Sequence, residues 1–427
     1  MQFVADLHIH SPFARACSKE LHPEQLYQWS QYKGIGVLAT GDFTHPQWFA
    51  ELSAKLIPAE PGLFTLKEAF AKPIDEAMYA TCRSFVRFLL GVEVSCIYKK
   101  GDRLRRIHHL IFAPSFEAAA KLNKRLAKIG NIQSDGRPIL GLDSRDLLEI
   151  VLEGGPEMHL IPAHAWTPHF GIFGSGSGFD SIEECFEDLA PHIFAIETGL
   201  SSDPAMNWKW SSLDRIALIS NSDAHSLEKL GREGNLLNVN LTYADLFAAI
   251  QSRDPQRFLK TFEFFPAEGK YHVDGHRVCQ IRMNPNETIR RKQICPVCRK
   301  PVTVGVLHRV DALADRSLPQ PPIGSPAFEN IIPLKEILSE VLRVGLASKK
   351  IDHLYHRLLA AYGSEFFILR ELNTETLRRD GYSFLALGLD RMRAGQVSIE
   401  PGYDGEYGKI ALLHPEDFSE EKQLLLL

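Results

Sequence analysis

The chain has 427 residues, 44% apolar and 24% charged, with a net charge of −5. That size predicts two or three domains of ordinary globular composition, and the negative balance argues against a protein that coats nucleic acid indiscriminately. No apolar run is long enough to span a bilayer, no basic-then-apolar leader opens the sequence, and Leu424–Leu427 is too short to insert, so the expectation is a cytoplasmic chain with no membrane partner.

The first element is Gln2–Ala5, a short apolar strand running into Asp6-Leu7-His8-Ile9-His10. Side chains alternate faces along a strand, so Asp6, His8 and His10 are expected on one side and Leu7 and Ile9 in packing. Two imidazoles and a carboxylate at a strand end make half of a metal site, although one His-x-His alone is more often a pair of satisfied histidines. Helical spacing from His22 to Tyr32 stops at Lys33-Gly34, and Ile35–Thr40 is a buried-type strand ending in Gly41-Asp42-Phe43-Thr44-His45. After a helix through Leu56, Val86–Cys96 reads as a strand carrying Glu93 and Arg106–Pro114 as one carrying His108 and His109. A helix over Phe116–Gly130 follows, and three further apolar runs lead into His164, Glu197 and Asn221-Ser222-Asp223-Ala224-His225.

Strands alternating with helices over about 240 residues predict parallel strands with crossover helices, most simply a barrel whose strand C-termini gather the catalytic groups. Ligand-type residues at so many strand ends favour a functional site over coincidence. Imidazoles suit zinc, manganese or iron, carboxylates bridge ions, and a two-ion site suits in-line phosphoester hydrolysis.

In order, Asp6–Ser11, Thr40-Gly41-Asp42, Gly91-Val92-Glu93, His109-Leu110-Ile111, Ala163-His164 and Ser222-Asp223-Ala224-His225 resemble the motifs of the PHP (polymerase and histidinol phosphatase) family. The resemblance implies a distorted (β/α)7 barrel, up to three divalent ions (zinc, manganese or magnesium) and phosphoester hydrolysis. It implies His8, His10, Glu93, His109, His164, Asp223 and His225 as ligands. Asp42 stands where the family has a histidine ligand, with His45 as a nearby substitute. The catalytic carboxylates it points to are Glu93, as a bridge, Asp223 and Asp42.

Beside this rim, Phe170–Phe179 (FGIFGSGSGF) is a Gly/Ser-rich loop without the Lys-Ser/Thr end of a nucleotide-binding loop. It is either a plain connection or a substrate loop whose aromatics stack on a base. Arg15 and Arg232 each follow a metal motif and are candidate phosphate contacts.

Seven scattered cysteines, an odd number, fit a reducing compartment and not a disulfide framework. His276-Arg277-Val278-Cys279 and then Cys295-Pro296-Val297-Cys298 offer four ligands in two close pairs, the pattern of a closed structural zinc, with His272 as the alternative to His276. A module this small buries little core, so the metal would supply much of its stability. Residues 270–309 hold nine Lys/Arg against two acids, a local +7 that leaves −12 for the rest and marks a candidate phosphate-backbone patch. Beyond the Pro-rich stretch at Pro319–Ser325, Leu334–Ala347, Asp352–Tyr362 and Tyr382–Ala394 have helical spacing, and Val397–Ile410 reads as a hairpin.

The expected division is a barrel over residues 1–266, a zinc module over 267–316 and a helix-rich domain over 317–427. Across residues 1–415 that order, with Thr198–Asp203 and Gly305–Arg316 (GVLHRVDALADR), resembles the endonuclease Q family of DNA-repair enzymes. The resemblance implies hydrolysis of the phosphodiester bond 5′ to deaminated bases (uracil, hypoxanthine, xanthine) and at abasic sites. The partner it implies is damaged DNA with the lesion base flipped out, and Trp166, Phe170 and Phe173 are the aromatic candidates for the base pocket. Two other readings are a phosphatase of small phosphomonoesters, which leaves the zinc module without a purpose, and a non-catalytic DNA-binding adaptor, suggested by Asp42 in place of histidine.

Overall fold

The computed structural model describes residues 1–418, and Leu424–Leu427 lies outside the described residues. Gln2–Asp6 sits inside an 11-stranded sheet, parallel to Ile35–Ala39 on one side and antiparallel to Gly234–Asn238 on the other. Ile35–Ala39 runs parallel to Arg87–Lys100, which forms a long hairpin with Arg103–Ala113. His159–Pro162 then pairs antiparallel with Arg103–Ala113. The parallel pair Ala195–Glu197 and Ala217–Ile219 spans the remaining gap. At its two flanks the Ala165 N–H donates to Glu197 O and the Ser220 N–H to Asn235 Oδ1.

The fold is mixed α/β, and the expected run of parallel strands holds only in part. Gly101 and Asp102 alone separate Arg87–Lys100 from Arg103–Ala113. So short a link can only turn the chain back, because a parallel partner needs a crossover of a dozen or more residues.

Ala5, Leu7, Val37, Leu89, Leu110, Ile161, Ala195 and Ile219 face one shared apolar interior. The helix Tyr243–Ser252 closes one end of it, with Phe247 5.1 Å from Phe112 and Tyr243 stacked 5.8 Å from His159. Along the same strands the opposite face, with Val92, Val94, Ile107 and Ile111, packs under an outer layer that includes Phe116–Leu126 and Ser144–Leu152. At the end away from Tyr243 the interior face turns polar, carrying Glu93, His108 and Glu197, all buried.

The helix Pro23–Lys33 ends at Gly34, whose left-handed φ of 87° lets its N–H reach Ser30 O. Lys33 pairs with Glu365 at 2.7 Å, and the Tyr355 hydroxyl donates to the same carboxylate at 2.8 Å. That buried contact ties the first helix to the C-terminal helices Leu334–Leu342, Lys349–Tyr362 and Ser383–Arg393. Two short helices that the spacing did not announce, Glu365–Arg370 and Thr374–Arg379, lie between them. Ala327–Asn330, just past the Pro-rich stretch, joins the main sheet parallel to Phe258–Glu263. Ser398–Glu400 and Lys409–Ala411 form the expected hairpin, and the turn between them bonds back onto the cysteine-rich segment through Val273 N–H to Gly402 O. Among the described residues no helix is long and apolar enough to cross a membrane.

Candidate functional site

Six side chains gather at the polar end of the interior in two groups of three, His8, His10 and Asp223, and Glu93, His108 and His164. Within each group the potential ligand atoms lie within 4.8 Å of one another. Glu93 stands between the groups. One of its oxygens is 2.6 Å from His108 Nδ1 and 2.9 Å from His164 Nε2, while the other is 3.3 Å from His10 Nε2 and 3.7 Å from His8 Nε2. Asp223 Oδ1 completes the first group, 3.1 Å from His10 Nε2 and 3.5 Å from His8 Nε2.

Local backbone explains how these groups converge. The strand ends at Asp6, so His8 and His10 lie beyond strict alternation, and Ile9 bridges to Ala224 between Asp223 and His225. Asp6 itself, expected on the histidine face, is turned away and accepts the Ser222 and Gly231 N–H groups at 3.0 Å each. Asp42, His164 and Asp223 take left-handed φ values of 49°, 29° and 46°, a conformation uncommon for non-glycine residues but one that Asp and His adopt more readily than most.

The two first-motif histidines are oriented alike. His8 Nδ1 lies 3.0 Å from Glu197 and His10 Nδ1 3.0 Å from Asp42, so each ring turns Nε2 inward. A carboxylate on one ring nitrogen fixes the tautomer and leaves the other nitrogen as the ligand. Glu197 is held in turn by Asn221 Nδ2 and the His164 N–H, both at 2.8 Å. Asp42 accepts from the Ser11 N–H at 2.6 Å and the Ser11 hydroxyl at 2.7 Å. Asp42, expected as a ligand, is thereby committed to Ser11 and His10 and belongs to neither group of three. His45 is not a substitute either, because its Nε2 faces Gln133 O at 3.1 Å and its ring stacks on Phe13.

The structure brings His108, not the expected His109, to the centre. Neighbouring residues in a strand face opposite ways, and His109 points into the outer layer, with Nε2 2.8 Å from Ser144 Oγ and its ring against Phe186. Burial pushes His109 down to about 3, so it is neutral there. His225 lies beside the first group, its ring 4.6 Å from that of His10 and Nδ1 3.6 Å from the Asp223 carboxylate.

The site's charges favour cations. Burial opposes protonation of His8, yet the Glu197, Asp223 and Glu93 carboxylates raise its pKa well above the imidazole range. Burial alone would raise Glu93, but His108, His8 and His10 hold it well below the ordinary carboxylate range. His8 Nε2 is buried without a hydrogen-bond partner. Inward imidazole nitrogens around buried carboxylates, one of those nitrogens orphaned, fit divalent zinc or manganese.

His108, His164 and Asp223 line a cleft of about 480 Å³ whose walls include Arg15, Arg137 and Phe170. Arg137, which no motif singled out, sits 3.0 Å from Glu93 on an irregular loop. Gly136 lets that loop close in, since a Cβ there would stand 2.3 Å from Asp42 Oδ2. Phe170 lies over His108 at 4.4 Å with φ 72°. Trp166 and Phe173, expected beside it, are instead fully buried core residues, 5.0 Å apart. The Trp166 Nε1–H donates to Asn207, and Phe173 packs on Trp210, so both support the loop from beneath. Arg232 does not line the cleft; its guanidinium donates to Ser222 O at 2.7 Å and Asp223 O at 3.3 Å and braces that turn.

Apart from the cleft, His276, Cys279, Cys295 and Cys298 also converge within 4.8 Å, whereas His272 stays outside the group. Four such ligands with no open position suit a structural zinc.

Residues 333–396 match the MJ0043 C-terminal domain family. The uncharacterized protein MJ0043 of Methanocaldococcus jannaschii is 30% identical over 253 residues, 58% of this chain, and the chain spans only 31% of that protein's length. The uncharacterized protein YqxK of Bacillus subtilis is 30% identical over 419 residues, 95% of this chain and 98% of YqxK. Two crystal structures match over 98% of both chains with a TM-score of 0.83. One is the novel lesion-specific endonuclease PfuEndoQ from Pyrococcus furiosus, at 28% identity. The other is endonuclease Q in complex with a 27-mer duplex bearing an abasic lesion at the active site, at 29% identity. With sequence shared from end to end with YqxK and fold shared over the same span with both crystal structures, this chain belongs to the endonuclease Q family.

Proposed function

We propose that this chain is a metal-dependent DNA endonuclease that hydrolyses the phosphodiester bond 5′ to deaminated bases and at abasic sites. The observation that carries the reading is two adjoining three-residue groups with Glu93 of the second reaching toward His8 and His10 of the first, in a chain whose fold matches an endonuclease Q bound to an abasic duplex. His8, His10 and Asp223 would hold one divalent cation and His108 and His164 a second, with Glu93 between them. When bound, such a pair supplies an activated water and neutralises the leaving oxygen.

The chain's own residues do the rest. Glu197 and Asp42 keep the His8 and His10 Nε2 atoms aimed inward. Arg137, its side chain 27% exposed, and Arg15 present guanidinium groups to an incoming phosphate. Phe170 offers an aromatic face to a nucleotide turned out of the duplex, and a mispaired deaminated base costs less to unstack than a paired one. In this reading residues 1–266 are a distorted (β/α)7 PHP barrel and 267–316 a zinc module whose net +6 between Lys270 and Lys300 grips backbone phosphates, followed by a helix-rich domain from 317.

A duplex with a single uracil or abasic site, run on a denaturing gel with and without chelator, tests the proposal. The expected result is a single cut on the 5′ side of the lesion that chelator abolishes and added zinc or manganese restores. An intact lesion strand alongside rapid hydrolysis of a small phosphate monoester would contradict it.

A further inference from the structure

We infer that Arg309 is a positioning residue that ties the cysteine–histidine module to the active cleft through the Phe170–Phe179 loop. The inference deepens the nuclease reading and rests on it for one of its two readouts. Arg309 lies on the helix Val306–Leu313, which closes the module after its four Cys/His ligands. Its guanidinium, 18% exposed, donates to Phe173 O and Phe179 O at 2.9 Å each and to the Asp180 carboxylate at 2.6 Å. One planar group thus joins both ends of a stretch that contains Gly174, Gly176 and Gly178, adding to the loop's own backbone bonds from Gly178 N–H to Gly174 O at 2.8 Å and from Phe179 N–H to Ile172 O at 2.6 Å.

Contacts continue unbroken in both directions. Toward the cleft, the loop begins at Phe170, whose carbonyl accepts the His108 N–H at 2.9 Å and whose ring lies on the His108 imidazole. Toward the module, the buried Asp274 sits two residues before His276 on the same strand. Its carboxylate accepts the Gly305 N–H at the start of the Arg309 helix and contacts His308 Nδ1, both at 2.7 Å. Displacing the module on DNA would therefore pull on the loop that seats His108 and Phe170, and a well-seated module would hold that loop closed.

Arg309→Met tests this on the full-length, metal-loaded chain. It removes the donors and keeps the stem, while Val306 and Val310 still anchor the helix in the core that holds Phe173. Hydrogen exchange of the Gly171–Gly178 amides is expected to quicken about tenfold, with the amides around Cys295–Cys298 unchanged. Cutting of saturating abasic duplex is expected to slow about tenfold while duplex affinity stays within about twofold of the parent. Because Arg309 acts through Phe170, adding Arg309→Met to Phe170→Ala should slow cutting no further. Parental exchange, parental cutting, or losses that multiply in the double variant would each overturn the inference. A parent chain that leaves the abasic strand whole counts against the nuclease reading alone, and the exchange result still decides this one.

Discussion

Glu93 stands between the two groups of three, and the residues around the site give the sharpest substitutions. His108→Ala should lower cutting by at least about 100-fold and reduce the cations held in the cleft. His109→Ala should leave cutting within about threefold of the parent and cost about 1–3 kcal/mol, because it removes the buried ring's bond to Ser144, which keeps only Tyr98, and its packing on Phe186. Single-turnover rates and urea melts on the two variants check this, and the reverse pattern would put the wrong histidine in the site. Asp42→Asn should weaken cation binding about 10–100-fold without abolishing cutting, the signature of a residue that orients a ligand. The sequence makes His8, His10, His164 and Asp223 legible because they follow apolar runs, and Glu93 because it is a lone carboxylate inside one. It cannot separate His108 from His109, since both faces of Arg103–Ala113 are buried and apolar residues flank the pair on either side. Arg137 is invisible for the opposite reason: it sits on an irregular loop with no periodicity and no motif.

At the scale of elements, the loop after His164 divides into a cleft face and a core face. Phe173→Ala should cost about 3–5 kcal/mol through loss of packing with Trp166 and Trp210. Phe170→Ala should melt like the parent and cut abasic duplex more slowly, as seen by thermal melting and gel assay together. Helical and strand periods identify such a loop only as Gly-rich, and nothing in FGIFGSGSGF tells which phenylalanine is packed. The strand Phe258–Glu263 carries a second consequence. Burial pushes Glu263 up to about 8, helped by Asp203 against its bonds from Thr261, Thr198 and Ser220. Burial likewise raises the nearby Glu233, whose Oε2 has no partner. The folded chain therefore keeps a proton that the unfolded chain releases near 4.5, so stability falls as pH climbs from there toward 8. Glu263→Gln should accordingly raise the melting temperature relative to the parent more at about pH 9 than at about pH 5. An equal shift at both would contradict the assignment.

Over the whole molecule, a buried ion pair joins the C-terminal helices to the N-terminal region, alongside the packing of Met78 and Cys82 against those helices. Lys33 and Glu365 have side chains only 4% and 5% exposed. Lys33→Met leaves the Glu365 carboxylate uncompensated and should cost about 3–5 kcal/mol in a denaturant melt, with much of the loss recovered when Glu365→Leu is added. A single variant as stable as the parent would rule this contact out as a fastener. Partner elements so far apart in sequence leave no local trace, and neither does the Ala327–Asn330 strand, which reads as part of a Pro-rich link. Whole-chain order is legible where chemistry recurs, in the motifs from His8 to His225 and the two Cys/His pairs. The hairpin that breaks the parallel run is legible only from its two-residue turn. One measurement bears most directly on the central claim that Glu93 joins two cation sites into a single nuclease centre: metal content and single-turnover cutting of abasic duplex by Glu93→Gln beside the parent. The account predicts a parent with two cleft cations besides the module's zinc, and a variant with fewer that cuts at least about 1,000-fold more slowly. A variant with the parent's metal content and rate would contradict it.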